Sequence, residues 1–320
     1  MTAAAKTASR ATARSTSRKP FPTHIVVFLA PAVIIYSLFM IYPLIDSLRL
    51  SLFVRDANGV ETFAGLTNYQ TILTSDILAP RLWGALRNNL LFFAIHMLVQ
   101  NPIGLLLAAL LSSRFVAGRA IYRTLIFTPT VLSVVLVGFI WRLILSPLWG
   151  ISGDFLKIFG IKNQPWLGLP ATALPVLSLV SVWQYVGIPM MLFLAALIAI
   201  PDELVEAARV DGATAWGVFW RVKFPLILPT VGIVAILTFV GNFNAFDLIY
   251  ATQTALAGPE FSTDLLGTLF YRTFFGFQLQ SGSPTLGATV ATIMFLIILT
   301  GVLIYLFGWQ RRLLKMEIQL

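Results

Sequence analysis

Long stretches without acidic or basic side chains dominate this sequence. Six of them are about 18 residues or longer, and a helix that crosses a bilayer needs roughly 20 mostly apolar residues. The pattern therefore predicts an all-α integral membrane protein. Its six predicted transmembrane helices are His24–Ile45, Asn88–Ser113, Thr124–Trp141, Leu174–Ile200, Phe224–Phe246 and Leu286–Gly308.

The composition excludes several classes of protein. Only 11% of the residues are charged, whereas soluble domains have about 25%. Cysteine is absent, which excludes disulfides, iron–sulfur clusters, thiolate metal sites and cysteine nucleophiles. The two histidines, His24 and His96, are too few for a histidine metal cluster. We therefore predict no catalytic site and no metal site.

The basic residues predict how the chain is oriented. With the N-terminus inside, 14 of the 22 Lys and Arg residues fall in inner segments and seven in outer ones, as the positive-inside rule requires. This predicts a multi-pass membrane protein with both termini and the loop at 202–223 in the cytoplasm. The seven outer acidic residues balance the outer bases, and these acids are Asp46, Asp56, Glu61, Asp76, Asp154, Glu260 and Asp264.

Four segments describe the predicted organisation. Residues 1–22 are a basic cytoplasmic tail whose composition predicts disorder, and residues 23–83 hold the first helix and an outer loop. A membrane core covers 84–309, and 310–320 form a second cytoplasmic tail. The basic tail is also similar to an organellar transit peptide, but the apolar run after it is too long for a signal-peptide core and no cleavage site follows.

The loop from Pro201 to Pro229 carries the most information. Acidic residues at 202 and 203 suit the first turn of a helix, and small side chains follow at helical spacing. Gly212 permits the reversal that ends this helix. An aromatic segment with Trp216 and Trp220 then suits the membrane interface. Helix, glycine turn and interfacial helix together predict a rigid element that docks a protein partner.

These residues also carry a family resemblance. The loop resembles the EAA loop of ABC importer permeases. It reads Glu206-Ala207-Ala208, three residues, Gly212, nine residues and then Val222-x-Phe224-Pro225. Its EAARVDGA segment looks like the sugar-importer branch. Val222 and Phe224 depart mildly from its usual Ile-x-Leu-Pro. The resemblance extends over about residues 25–309, although only one glycine, Gly258, precedes Pro259 where the family usually has several.

The resemblance implies a location in the bacterial inner membrane and a division of labour between chains. No Gly-x-x-x-x-Gly-Lys-Ser/Thr sequence occurs, so ATP and Mg²⁺ are expected on a separate dimer of ATPase subunits. The other expected partners are an extracytoplasmic binding protein, a second permease that forms a heterodimer with this chain, and membrane lipid. Nucleic acid is not an expected partner. The residues implied to couple the chain to the ATPase are Glu206, Ala207, Ala208, Asp211 and Gly212.

Two helix faces are candidates for the substrate path. Thr238, Gly241 and Asn242 share one face of the fifth span, and the asparagine aligns with one that lines the sugar site of the maltose-type relative. On the fourth span, Trp183, Gly187 and Met190 share a face and correspond to positions that line the sugar site of that relative. Both groups have interhelical packing as their alternative. At 100° per residue, Asn244 and Asp247 are expected to point elsewhere.

Other functions remain alternatives. An ion-coupled secondary transporter is the main one, although no midplane carboxylate or inverted repeat is evident. A membrane-embedded enzyme lacks clustered polar ligands, and an ABC exporter usually carries its ATPase on the same chain. The balanced outer charge leaves a neutral sugar, a polyol and an anionic sugar derivative equally open as substrates.

Overall fold

The computed structural model describes residues 23–56, 59–113, 116–148, 164–278 and 280–311, and these residues are mostly helical. The predicted tail at 1–22 lies outside them, as do residues 312–320 of the predicted tail at 310–320. Numbered in chain order, the helices are α1 (Thr23–Tyr36), α2 (Tyr42–Leu50), α3 (Thr67–Thr74), α4 (Leu78–Ile95), α5 (Asn101–Ser112), α6 (Arg119–Val131), α7 (Val134–Ile144), α8 (Pro170–Tyr185), α9 (Gly187–Ile198), α10 (Asp202–Val210), α11 (Ala215–Val218), α12 (Phe224–Leu226), α13 (Leu228–Phe243), α14 (Asp247–Gln253), α15 (Leu266–Phe275) and α16 (Pro284–Ile304).

Short irregular elements complete the secondary structure. The π-helical stretches are Ser37–Ile41, His96–Gln100, Phe219–Lys223 and Tyr305–Gln310. The antiparallel strand pairs are β1 (Phe53–Arg55) with β2 (Glu61–Phe63), and β3 (Gly276–Phe277) with β4 (Gln280–Ser281). The described residues up to Asp46 form one compact unit, and those from Ser47 onward form another.

The apolar helices agree with a membrane protein. Among the described residues, four continuous helices are long and apolar enough to cross a bilayer, namely Ile25–Leu50, Leu78–Ser112, Leu228–Gln253 and Pro284–Gln310. Two bent helix pairs, α6 with α7 and α8 with α9, raise the number to six if each pair makes one crossing. The count of six therefore stays a prediction.

The third predicted span is not the single helix that its apolar pattern suggested. The chain bends by 96° between α6 and α7, where Leu132 and Ser133 adopt extended backbone with ψ of 144° and 131°. Such a break leaves a backbone carbonyl without its helical partner, which is costly in lipid. The Gln184 side chain on α8 donates to the Leu132 carbonyl at 3.2 Å and compensates for part of this loss.

The fourth predicted span also differs from a straight helix. It begins at Pro170 rather than Leu174, and it bends by 44° between α8 and α9. Pro189 explains the bend, because its ring clashes with the carbonyl four residues earlier and it has no N–H to donate. That carbonyl belongs to Tyr185, the last residue of α8.

Close helix packing forms the core around α5 and α9. A Cβ added at Gly104 of α5 would lie 3.1 Å from the backbone nitrogen of Met190 in α9, so only glycine permits this approach without displacement of neighbouring atoms. Small residues at helix contacts are typical of membrane proteins. The buried residues of this cluster are Ala108, Leu111, Met190, Phe193, Leu194, Leu197, Ile227 and Val234.

A buried ion pair stabilises the segment that connects α14 to α15. Arg272 Nη2 and Asp264 Oδ2 are 2.5 Å apart, and the two residues are 1% and 2% exposed. Thr268 also donates to Asp264 at 2.6 Å. Burial raises the pKa of the Asp264 carboxyl, and the contacts with Arg272 and Thr268 oppose that rise. Asp264 and Arg272 are therefore not solvent-facing, although the sequence analysis counted them among the balanced acids and bases of the outer segments.

Candidate functional site

The loop at 201–229 has the predicted helix–turn–helix form. Helix α10 carries Asp202 and Glu203 in its first turn and Arg209 in its last, an order that complements the helix dipole. Val205 is its buried residue, whereas Glu206 and Ala207 are exposed. The helix is thus anchored along one side and leaves the EAA residues available to another molecule.

Gly212 ends α10 through its backbone conformation. Its φ is +83°, a left-handed value that glycine adopts without the steric cost other residues incur. The Gly212 nitrogen donates to the Arg209 carbonyl at 3.0 Å, and the Ala213 nitrogen donates to the Ala208 carbonyl at 2.9 Å. A Cβ at Gly212 would meet no atom within 4 Å, so conformation rather than space requires glycine here.

An aromatic group follows the turn. Thr214 caps α11 by accepting a hydrogen bond from the Gly217 nitrogen at 3.2 Å. The Trp220 ring then packs against the rings of Trp216, Phe219 and Phe224, with centroids 4.9–5.6 Å apart. Edge-to-face and tilted pairs at such distances stabilise each other. They fix the second half of the loop against the start of the next span.

A cavity of about 460 Å³ lies among α4, α8, α9 and α13, the segment 244–249 and the stretch His96–Gln100. Its volume falls in the range of small-molecule sites. Hydrophobic side chains form most of its wall. Its polar lining residues are His96, Gln100, Ser181, Tyr185, Thr238, Asn242, Asn244 and Asp247. We call this space the central cavity.

Three of the predicted substrate-path residues line the central cavity together. Thr238, Gly241 and Asn242 on α13 all contribute to its wall, as expected for residues on one helix face. Thr238 also accepts a hydrogen bond from Asn101 Nδ2 at 3.1 Å, which joins α13 to α5. The substrate role of these residues stays a prediction, and their shared position is consistent with it.

Two buried oxygens in the central cavity have no hydrogen-bond partner among the described residues. They are Asn242 Oδ1 and Gln100 Oε1. The other end of the Asn242 amide is fixed, because Nδ2 donates to the Thr238 carbonyl at 2.7 Å. An unpaired buried polar atom costs about 1–3 kcal/mol. Both oxygens have almost no accessible surface, so in this conformation neither is open to the central cavity.

Asn244 and Asp247 do not point away from the site as the sequence suggested. Both line the central cavity together with Asn242. The expectation of separate faces assumed a continuous helix, but α13 ends at Phe243 and α14 begins at Asp247. Phe246 between them has φ −147° and ψ −52°, outside the helical region, so a fixed rotation of 100° per residue does not hold across this break.

The other three predicted substrate-path residues lie outside the central cavity wall. Trp183 packs against Trp141, with ring centroids 5.5 Å apart. A Cβ at Gly187 would lie 2.9 Å from the Cα of Phe127, so this glycine permits close contact between α9 and α6. Met190 is 0% exposed in the core. These are contacts of helix packing, and the substrate role of the three residues stays a prediction.

Several lining residues were not selected from the sequence as substrate contacts. The His96 Nδ1 donates to the Phe92 carbonyl at 2.7 Å, and the Ser181 hydroxyl approaches Nε2 at 3.0 Å. Gln100 lies on the same span as His96, and Tyr185 lies on α8 with Ser181. Isolated polar residues within apolar spans were the available signal, since such residues usually face a bundle interior or a cavity.

One buried asparagine connects the central cavity to the outer segment. Asn89 on α4 is 0% exposed. Its Nδ2 donates to the Asn242 carbonyl at 2.9 Å, and its Oδ1 accepts from the Leu266 nitrogen at 2.7 Å. The backbone at Asn242 and the start of α15 are thus held by the same side chain.

Comparison with known proteins identifies the family. The chain is 30% identical to the lactose transport system permease protein LacF of Rhizobium radiobacter, over 90% of this chain and 94% of the relative. It is also 30% identical to the arabinooligosaccharides transport system permease protein AraP of Bacillus subtilis, over 88% of this chain and 86% of the relative.

Solved structures confirm the predicted ABC importer permease fold. A bacterial ABC transporter involved in the import of the acidic polysaccharide alginate superposes with a TM-score of 0.71 at 23% identity, over 89% of this chain and 93% of that chain. The family profile described as the inner membrane component of binding-protein-dependent transport systems matches residues 100–315. This chain therefore belongs to the family of inner membrane components of binding-protein-dependent transport systems.

Proposed function

We propose that this chain is the permease subunit of an ATP-driven importer for a sugar or sugar derivative that an extracytoplasmic binding protein delivers. The observation that carries the proposal is the exposed helix–glycine–helix loop on a chain of this family. The similarity to permeases named for lactose and arabinooligosaccharides supports a sugar as the solute. The family assignment favours this function over ion-coupled secondary transport.

The energy for transport comes from a partner. None of the six lysines follows a glycine, so the chain has no phosphate-binding loop of the Gly-Lys-Ser/Thr type. ATP and Mg²⁺ bind to a separate dimer of ATPase subunits. This chain transmits the motion of that dimer and performs no hydrolysis itself.

The exposed side of α10 forms the contact with the ATPase. Glu206, Ala207 and Asp211 are exposed and Ala208 is half-buried. Small side chains there let the helix enter a cleft, and Gly212 fixes the direction in which the chain leaves it. Closure of the ATPase dimer then moves the loop as a rigid unit and, through the span that follows, changes access to the central cavity.

The solute path includes the central cavity. The wall of this cavity includes Thr238, Gly241 and Asn242. The threonine and asparagine make this part of the wall polar, whereas a purely apolar wall could not form hydrogen bonds with a sugar. Trp183, Gly187 and Met190 make helix-packing contacts within this chain, and their contact with the solute stays a prediction. A second permease chain, different from this one, completes the pathway.

The distribution of basic residues supports an orientation in the bacterial inner membrane. Both termini and the loop at 202–223 face the cytoplasm, where 14 of the 22 Lys and Arg residues then lie, as the positive-inside rule requires. The binding protein docks on the opposite side.

ATP-dependent uptake tests the proposed function. We expect liposomes that contain this chain, its partner permease and the ATPase to accumulate sugar only with ATP inside and liganded binding protein outside. The measurement is the uptake of radiolabelled lactose and arabinooligosaccharides, with a hydrolysis-deficient ATPase as the control. Uptake that persists without ATP and stops when ion gradients are dissipated would contradict the proposal.

A further inference from the structure

The second half of the cytoplasmic loop carries a surface that the proposed function does not use. Its helical stretch runs from Ala215 to Lys223. Val218 faces inward and is 3% exposed, while Trp216 and Trp220 are 72% and 42% exposed. The two tryptophan rings contact each other, with centroids 5.6 Å apart. Large apolar side chains that remain exposed side by side indicate contact with another molecule or with a membrane.

The packing of this stretch places it at the inner ends of the spans. Phe219 packs against the core cluster that includes Leu111 and Leu197, each of which lies one residue before the end of its helix. The stretch then leads through α12 into the span that begins at Leu228. The exposed tryptophans therefore lie at the depth of the lipid headgroups, where tryptophan is enriched in membrane proteins.

Charge divides the loop into two halves. Residues 202–211 carry four acids and one base, whereas residues 212–223 carry no acid and two bases, Arg221 and Lys223. Both bases lie in the last turn of the stretch, and neither side chain has an ion-pair or hydrogen-bond partner among the residues that the structure describes. An anionic membrane surface attracts basic segments, so it would attract the second half and repel the first.

We propose that two tryptophans and two bases of this stretch form a binding site for anionic phospholipid headgroups of the cytoplasmic leaflet. We call this site the interfacial patch, and its members are Trp216, Trp220, Arg221 and Lys223. The inference rests on the orientation given with the proposed function. The tryptophan rings lie among the headgroups, and the bases favour lipids with a net negative charge. The acidic half of the loop is thereby kept off the membrane and available to the ATPase.

Lipid-specific quenching of a single label tests the interfacial patch. The chain has no cysteine, so Ala215→Cys places one thiol at an exposed position beside Trp216. The thiol carries a fluorophore, and the importer, with partner subunits free of reactive cysteine, is placed in nanodiscs of equal amounts of phosphatidylcholine and phosphatidylglycerol. One lipid or the other carries a nitroxide high on its acyl chain. We expect both lipids to quench the label, with an affinity for phosphatidylglycerol at least about fivefold higher, the effect of one base near an anionic surface.

Variants of the bases test the origin of this preference. Arg221→Gln combined with Lys223→Gln should reduce the preference to about twofold or less. Quenching by either lipid should persist in this double variant, because the tryptophans remain. Arg209→Gln is the matched charge control, since Arg209 is an exposed base in the acidic half of the loop, and it should leave the preference unchanged. A label on Ala207→Cys, an exposed position of α10, should be quenched far less by both lipids.

Three results would overturn the inference. Equal quenching of the residue-215 label by the two lipids would refute selectivity for anionic lipid, and a preference that survives the double variant would refute the role of the two bases. A label that neither lipid quenches, because an ATPase subunit covers it, would refute the contact with lipid. ATP-driven sugar uptake by the unlabelled importer would leave the proposed function intact in each case, whereas absence of that uptake would refute the function itself.

Discussion

Gly212→Val is expected to uncouple the importer, with the rate of ATP-dependent uptake reduced at least about tenfold. At φ +83°, a residue with a Cβ is strained by roughly 1–2 kcal/mol, and a β-branched side chain is less tolerant still. A strain of about 1.4 kcal/mol lowers the population of the observed turn roughly tenfold. Since this turn directs the chain out of α10, the contact with the ATPase is lost with it.

The measurement is ATP hydrolysis stimulated by liganded binding protein, together with uptake, in liposomes. Gly217→Ala is the matched control, because Gly217 lies in α11 of the same loop and its added Cβ would meet only ordinary contacts, 3.5 Å from Thr214 Oγ1. It should transport at the normal rate. Normal uptake by Gly212→Val would show that this glycine has no role in coupling.

The second large effect is expected on stability. Asp264→Asn should lower the free energy of unfolding by about 3–5 kcal/mol, because it leaves the buried guanidinium of Arg272 without its counter-charge. Arg272→Met should cost less. The arginine cannot lose its charge, whereas the Asp264 carboxyl, whose pKa burial already raises, takes up a proton readily once the cation is gone.

Denaturant titration of the purified chain in detergent measures both variants. The double variant Asp264→Asn with Arg272→Met should recover part of the loss, since no unpaired charge remains. Glu61→Gln is the control: the Glu61–Arg49 pair is 3.6 Å apart and largely solvent-exposed, so its loss should cost under about 1 kcal/mol. Equal effects of Asp264→Asn and Glu61→Gln would contradict the buried-pair argument.

Local sequence was sufficient to predict the cytoplasmic loop. Acids at 202 and 203, small residues along α10 and a glycine after it are local signals for the start, face and end of a helix. The structure places Gly212 at the predicted turn with the positive φ that the interpretation required. Uninterrupted apolar length was similarly sufficient for the membrane class.

The central cavity needed tertiary information. The Leu132 carbonyl at the break accepts a bond from Gln184, more than 50 residues away in the sequence, and no local pattern encodes that contact. Asp247 lines the cavity because α13 ends before it. The predicted orientation of Asp247 was wrong, because it assumed that the helix continued to this residue. The sequence also did not show that Asp264 and Arg272 are buried. They were counted as charges of the outer loops, because burial depends on the surrounding fold.

Site-specific crosslinking tests the central claim that α10 binds a separate ATPase. The chain contains no cysteine, so Ala207→Cys introduces a single thiol on an exposed position of α10. We predict that a short thiol crosslinker joins this position to an ATPase subunit in inner membranes, whereas Thr62→Cys, on the exposed strand β2, yields no such product. A residue-207 thiol that reacts only with reagents added outside intact cells, or that never captures an ATPase subunit, would contradict the account.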